Sequence, residues 1–333
     1  MSKLILIDGN AILHRAFHAL PPLTNPKGEI VNAVYGFFSM FLKILEDAKP
    51  DCVVVCFDRP KPTFRKELYV QYQAHRPKMD DNLVPQIGIV HEILEKMKVQ
   101  IFELDRYEAD DIIGTLAVQA VSQKDQRSKI KDQKKEETAV IIVSGDRDLL
   151  QLVNNKVKML APITGITNML LYDEQKVEEK YGIKQKQIID YKALVGDASD
   201  NYPGVSGVGP KTAVNLLKEY QTLEVIYKNL DLIKQKNPNL AAKLKVGEES
   251  AEMAKKLATI VTDVPVTLNL TDCSTLNFNI EGLKEEFEKF GFKSLIKRLE
   301  SNASENKKSA TAEIQKKNEA QKKKKEGEQL GLL

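Results

Sequence analysis

Three short, apolar, β-branched runs mark the first half of the chain: "KLILID" at 3–8, "CVVVCFD" at 52–58 and "AVIIVS" at 139–144. Between them apolar positions recur with helical spacing, near 30–48, 83–97 and 109–122. Apolar strands alternating with helices predict an α/β fold, with a central, mostly parallel sheet flanked by helices. After residue 170 the pattern is helical almost throughout. Residues 122–138 are charged and lack apolar periodicity, so an exposed insertion is expected before the third strand. From 301 onward the chain lacks aromatics and is rich in Lys, Glu and Gln, the composition of a disordered tail. The expected organisation is an α/β domain over 1–172, a helical region over 173–300 and a tail over 301–333.

Ligands of an open parallel sheet sit beyond the carboxyl ends of its strands. Each apolar run here ends on an acid: Asp8 before Gly9, Asp58 after Phe57, and Asp146 with Asp148 in "SGDRD". One such end marks a turn; three together are not accounted for by turns. The stretch "RYEADDIIGTLA" at 106–117 adds Glu108, Asp110 and Asp111 just ahead of Ile112, Ile113 and Leu116. Alone it reads as a helix start, since acids in a first turn meet the helix dipole favourably. Beside the strand-end acids it reads as a helix start that also carries metal ligands. Asp197 and Asp200 in "GDASDN" add a further pair, three apart and so on one face if helical.

Two unit charges 4 Å apart repel by ~4 kcal/mol at an effective dielectric near 20, so nine converging carboxylates call for counter-charge. Hard divalent cations with oxygen ligands supply it, Mg²⁺ first and Mn²⁺ as a substitute; two or more such ions suit phosphodiester hydrolysis. No Cys or His cluster competes for a softer metal. Cys52 and Cys56 lie in an apolar strand, where cysteine acts as a small hydrophobe, and three cysteines fit a reducing, cytoplasmic setting.

Composition is ordinary for a folded protein, 42% hydrophobic and 29% charged, and no stretch approaches a membrane span. The net charge of +3 is uneven: residues 307–328 carry +4, leaving −1 for the rest. Apart from the nine acids that body carries +8, a basic surface around an acidic pocket. Residues 59–78 concentrate it: Arg59, Lys61, Arg65, Lys66, Arg76 and Lys78 against Glu67 alone, interleaved with Phe64, Tyr69 and Tyr72. Cations with aromatic platforms suit a single nucleic-acid strand. In "PGVSGVGPKTA", Gly204, Gly207 and Gly209 permit tight turns, Pro210 opens a helix, and Lys211 and Thr212 follow. Such a turn aims backbone N–H groups at a phosphate, as in a helix-hairpin-helix grip on one DNA backbone.

Taken in order, "LILIDGNAILHRAFHAL", "CFDRPKPTFRKELYVQYQAHRP", "YEADDIIGTLA", "VSGDRDLLQLV" and "LVGDASDNYPGVSGVGPKTAVNLL" resemble the 5′-to-3′ exonuclease domain of bacterial DNA polymerase I, within the flap endonuclease family, over about residues 3–300. The resemblance implies a PIN-like nuclease core that cuts DNA at or near a 5′ flap, nick or 5′ end, with RNA-primed ends included. It implies a first metal cluster of Asp8, Asp58, Glu108, Asp110 and Asp111 and a second of Asp146, Asp148, Asp197 and Asp200. Residues like 59–80 are expected to form a helical arch around the 5′ strand, with Arg65, Tyr72 and Arg76 on DNA. Residues like 204–212 are expected to bind duplex DNA and to hold a potassium ion through carbonyls. Arg15 matches an arginine near the scissile region, and Phe17 and His18 match positions that pack against duplex ends.

Two departures stand out. Relatives commonly carry Tyr-Lys-x-x-Arg in the arch, whereas Tyr72, Gln73 and Arg76 stand here. No polymerase region follows within the 333 residues, so a standalone form ending in "QLGLL" is expected, and the resemblance implies a monomer. Gln329, Leu330, Leu332 and Leu333 are similar to peptides that dock on the bacterial sliding clamp. Two other readings are weaker. A phosphatase-like Asp-x-Asp site leaves the arch and glycine turn unexplained, and a catalytically weak, clamp-tethered DNA-binding factor would be expected to lack metal ligands.

Overall fold

The computed structural model describes residues 2–122 and 138–301. The expected charged insertion and the tail, with Gln329, Leu330, Leu332 and Leu333, lie outside the described residues apart from their flanks.

Strand β1 (Ser2–Asp8) runs into helix α1 (Gly9–Ala19), then α2 (Asn32–Ala48), and the chain returns as β2 (Cys52–Cys56). A short α3 (Phe64–Leu68) and α4 (Val84–Lys96) lead to β3 (Gln100–Phe102), and α5 (Ala109–Ser122) precedes β4 (Thr138–Val143). Strands β5 (Val157–Thr164) and β6 (Asn168–Tyr172) complete a six-stranded sheet of order β3-β2-β1-β4-β5-β6. All neighbours are parallel except β5 with β6. The central strands read as unbroken apolar runs because they are buried on both faces. Leu4 and Leu6 join the core under α5, while Ile5 and Ile7 join the core under α1, α2 and α4.

β1 sits between β2 and β4, with Ile7 level with Val55 on one side and Val143 on the other. The three acidic strand ends are therefore neighbours in space as well as in pattern. The parallel strands were legible from the sequence; the short β3 and the antiparallel β5–β6 edge were not.

Beyond the sheet come α6 (Glu174–Tyr181), α7 (Ile188–Val195), a two-stranded ribbon of β7 (Gly196–Asp197) and β8 (Tyr202–Pro203), and α8 (Pro210–Tyr220). The helices α9 (Leu223–Lys228), α10 (Leu230–Lys236), α11 (Pro238–Val246), α12 (Glu248–Ala258) and α13 (Ile280–Phe290) follow. The helical half shares the α5-side core through Leu194, Leu217, Ile226 and Leu244, so it is fused to the sheet rather than tethered to it. Among the described residues no helix is long and apolar enough to cross a membrane.

The segment expected as a helical arch takes another form. Over 59–80 only Phe64–Leu68 is α-helical, and the rest is turns and irregular chain. Pro60, Pro62 and Pro77 deny it continuous helical bonding, and Gln73 adopts a left-handed backbone with φ 53°.

Candidate active site

Two acidic sets lie at the carboxyl edge of the sheet, and they are satisfied differently. The strand-edge set is Asp8, Asp58, Asp110 and Asp146. Asp8 is the N-cap of α1 and accepts the Ala11 N–H at 2.9 Å and the Ser144 hydroxyl at 2.6 Å. Asp58 accepts the Ala109 N–H at 2.7 Å and thereby caps α5, a helix far away in sequence. Two helix N-termini thus aim their dipoles at this set. Asp146 accepts the Asp148 N–H at 2.9 Å, and its own N–H donates to the Ser144 hydroxyl at 2.9 Å. Asp110, in the first turn of α5, receives no hydrogen bond or ion pair from the described residues.

The electrostatic consequence is direct. Burial, then the neighbouring Asp58, pushes the Asp8 carboxyl up to about 7. Burial and then Asp146, Asp8 and Asp58 hold Asp110 well above the ordinary carboxylate range. Backbone dipoles and one hydroxyl do not neutralise this edge.

The second set is Asp148, Asp197 and Asp200. Their carboxylates present ligand oxygens all within 4.8 Å of one another, among the described residues. A shared helix face does not bring Asp197 and Asp200 together, because α7 stops at Val195. Gly196 turns the chain with φ 75°, where a Cβ would lie 2.4 Å from the Gly204 nitrogen. Asp197 then accepts the N–H groups of Ser199 at 2.7 Å and Asp200 at 3.3 Å, a local turn that folds Asp200 back.

Cations of the chain already sit on this set. Lys192 Nζ donates to both Asp148 and Asp197. Arg76 Nη2 donates to Asp200 at 2.6 Å, Gln73 Nε2 at 3.2 Å and the Tyr72 hydroxyl at 3.3 Å. Burial pushes Asp148 up to about 7 against the pull of Lys192. Burial also opposes ionisation of Asp197, but its bonds from Lys192 and Ser199 outweigh that and hold it below the usual range.

Glu108 and Asp111 complete the nine. Burial pushes Glu108 up to about 7 although Arg65 pulls it down. It accepts from Thr63 at 3.1 Å and from Arg65 and the Tyr72 hydroxyl at 3.2 Å. Tyr72 therefore bridges Glu108 to Asp200, linking the α5 start to the second set. Asp111 is fully buried and spent within the fold. Arg65 grips it with two bonds of 2.7 Å, and the N–H groups of Glu108 and Val261 add bonds of 3.1 and 2.9 Å.

Several residues expected on DNA are placed elsewhere. Arg65 is 2% exposed and spends its other donors on the carbonyls of Leu257 and Thr259, tying the arch segment to the end of α12. Tyr72 is buried against Tyr202. The exposed cations are also engaged. Arg59 pairs with Glu103 and Asp105, Lys61 with Asp105, and Lys78 with Asp81, while Lys66 donates to the Tyr72 carbonyl. Arg15 donates to the carbonyls of Ile163 and Gly165 at the tip of the β5–β6 hairpin, and Phe17 stands edge-on to His18.

The glycine turn is built as a helix entrance. A Cβ on Gly204 would lie 2.4 Å from the Leu194 carbonyl oxygen, Gly207 has φ 76°, and Gly209 caps α8 with Pro210 in its first turn. Lys211 is exposed beside Thr212, and Lys243 donates to the Gly207 carbonyl at 3.3 Å. Sequence reasoning missed Lys192, whose one signal was a basic residue in the apolar "IIDYKALV", five positions before Asp197.

A family model described as "5′-3′ exonuclease, N-terminal resolvase-like domain" matches residues 3–182, and one described as "5′-3′ exonuclease, C-terminal SAM fold" matches residues 183–281. The chain belongs to the 5′-3′ exonuclease family. A 5′-3′ exonuclease of Aquifex aeolicus is 37% identical over 300 residues, covering 90% of this chain and 96% of that protein. A DNA polymerase I of Caldicellulosiruptor bescii is 45% identical over 299 residues, 89% of this chain, but only 33% of that protein. The chain thus spans about a third of the length of the polymerase relatives it matches. A bacteriophage T5 flap endonuclease, in a pseudo-enzyme–product complex with DNA and metal ions, shares the fold with a TM-score of 0.61 at 19% identity, covering 90% of this chain and 99% of that one.

The donor set fits hard divalent ions. It is all oxygen, it includes a compact trio, and several of its carboxyls are poorly stabilised by the protein itself.

Proposed function

We propose that the protein is a divalent-metal-dependent 5′ nuclease that hydrolyses DNA phosphodiesters at or near the junction of a 5′ flap, nick or 5′ end, with RNA-primed ends among its substrates. The observation that carries this reading is the strand-edge set: converging carboxylates, Asp8 buried and Asp110 and Asp146 half-buried, to which no cation hydrogen-bonds among the described residues. Mg²⁺, with Mn²⁺ as a substitute, supplies when bound the Lewis-acid charge that phosphodiester hydrolysis needs. Asp8, Asp58, Asp110 and Asp146 would hold one ion, and Asp148, Asp197 and Asp200 another, with Glu108 beside both.

The chain's own groups do the rest. Tyr72, bonded to Glu108 and Asp200, ties the start of α5 to the second set. Arg59, Lys61 and Arg76 exchange their carboxylate partners for phosphates as the strand enters, which makes binding salt-dependent. The α8 entrance at Gly207 and Gly209 offers backbone N–H groups, with Lys211 and Thr212, to one duplex phosphate. Its carbonyls are the proposed seat of a potassium ion. Arg15 and Phe17 are proposed to meet the DNA near the cut.

Docking of Gln329, Leu330, Leu332 and Leu333 on a sliding clamp, a monomeric state and a cytoplasmic location belong to the same proposal and rest on resemblance. A labelled 5′-flap duplex tests the core of it. Cleavage near the junction that requires Mg²⁺ and disappears in Asp146→Ala supports the nuclease reading; binding without cleavage at any Mg²⁺ concentration overturns it.

A further inference from the structure

Lys192 stands one turn from the end of α7 with its side chain 16% exposed, and both of its bonds end on acids of the compact trio. Among the described residues no cation hydrogen-bonds to the strand-edge set, and Arg76 acts on Asp58 only through space. We infer that Lys192 is a tethered counter-ion of the second acidic set, one that a divalent ion must displace to reach Asp148 and Asp197, so that this lysine sets the metal affinity of the site. The inference rests on the nuclease reading for the identity of the ligand as a divalent ion.

The argument is one of shared lone pairs. The oxygens that Lys192 holds, Asp148 Oδ1 and Asp197 Oδ2, belong to two of the three carboxylates that face a common centre. An ion at that centre draws on the same two carboxylates, and an ammonium beside it repels it. A tethered group competes at high effective concentration because it gives up only side-chain rotamer freedom, not translational freedom, on binding. An unsatisfied acceptor lies near Lys192. The Tyr202 hydroxyl is buried, lacks a hydrogen-bond partner among the described residues, and lies close enough to Lys192 to interact with it electrostatically. Its oxygen is a free acceptor beside the lysine.

The opposite role is that of a positioning residue, in which Lys192 draws Asp148 and Asp197 into ligand geometry. The two roles predict opposite signs. Titration of the full chain with Mn²⁺, read by the electron paramagnetic resonance of the free ion, separates them without any DNA. The measurement is made in an Asp110→Asn background, which weakens the strand-edge set. Lys192→Met is expected to tighten Mn²⁺ binding by roughly tenfold, within the usual range of coupling between ligands, while Lys192→Arg stays near the parent. Unchanged or weaker binding in Lys192→Met overturns the inference.

A second measurement needs no variant and stands if Lys192→Met does not fold. The ammonium resonance of Lys192, followed by ¹⁵N NMR in the unsubstituted protein, is expected to move as Mg²⁺ saturates the site. An unmoved resonance at saturation overturns the inference. The nuclease reading fails separately: flap cleavage absent while Mg²⁺ still displaces Lys192 removes that reading alone, and cleavage with Lys192 unmoved removes this one alone.

Discussion

The two acidic sets occupy the same edge of the same sheet yet solve the same electrostatic problem in opposite ways. At the strand edge, Asp8 and Asp58 are met by helix N-termini and one hydroxyl, and Asp110 by nothing among the described residues. In the second set, Lys192 and Arg76 reach every carboxylate. Burying a charge without a partner is costly, and partial dipoles do not offset it in full. The strand edge is thus left poised for a charge from outside, whereas the second set is neutralised from inside and must exchange one cation for another. Asp111 is a third case, committed wholly to Arg65 and the backbone.

The comparison breaks most sharply at Asp110 and Asp146. Because the Asp110 carboxylate has no partner among the described residues, Asp110→Asn removes repulsion rather than a bond. It is expected to leave the melting temperature without metal equal or higher, while flap cleavage falls by about 10³-fold, the loss of roughly 4 kcal/mol of metal-borne stabilisation. A variant that melts early, or that retains cleavage, would show that Asp110 serves the fold rather than the reaction. Asp146→Ala is expected to lose cleavage to a similar extent.

Asp111 tests the other extreme. Asp111→Ala strands the Arg65 guanidinium in a buried site, and breaking a buried pair from one side costs ~3–5 kcal/mol. Urea unfolding of the metal-free variant is expected to show that loss, with Arg65→Met falling similarly. Full stability in either variant would mean that the pair does not tie the arch segment to α12.

The raised carboxyls predict a pH dependence with a definite sign. Asp8, Glu108 and Asp148 titrate near 7 in the fold and near their ordinary values, 3.8 to 4.5, when unfolded. A group raised on folding contributes stability that is fully present below its unfolded value and is lost as pH rises through its folded value. Metal-free protein is therefore expected to lose stability progressively as pH rises from about 4 to about 7, and Mg²⁺ to restore more of it at pH 8 than at pH 5. His14 and His91, which burial holds below 6.5, act in the opposite direction, their contribution being lost as pH falls. A melting temperature without metal that rises across the window would contradict the assignment.

How much of this was legible in the sequence follows from which forces are local. The three apolar runs had to be buried parallel strands, since nothing else accommodates unbroken β-branched residues between helices, and an acid just past each run had to share an edge. The glycine turn announced itself through Gly209–Pro210. Partnering was not legible, because it is long-range. Arg65 lies within a basic, aromatic segment and read as a DNA contact, but Asp111 stands 46 positions away and the Leu257 carbonyl 192 away. Lys192 was missed because the fold carries Asp148 to it from 44 positions upstream. The arch segment was misjudged for the same reason: its prolines were visible, but not the Asp200 carboxylate onto which its turns fold.

The smallest expected effect sits at Gln73, where this chain departs from the arch pattern. Its side-chain amide reaches Asp200 at 3.2 Å from a left-handed backbone, and its own N–H donates to the Asp200 carbonyl at 2.8 Å. Gln73→Lys keeps the backbone bond and replaces a neutral donor with a charged one beside the second set. A hydrogen bond to a charged group exceeds a neutral one by about 1 kcal/mol, so the single-turnover rate on a 5′ flap is expected to rise by about fivefold if the lysine meets the phosphate. If the new ammonium instead stays on Asp200, it joins Lys192 and Arg76 in competing with the metal. The rate then falls, and added Mg²⁺ restores it. Rate against Mg²⁺ concentration separates the two outcomes: a gain at saturating Mg²⁺ places residue 73 on the substrate, and a loss that vanishes at saturation places it with the internal cations.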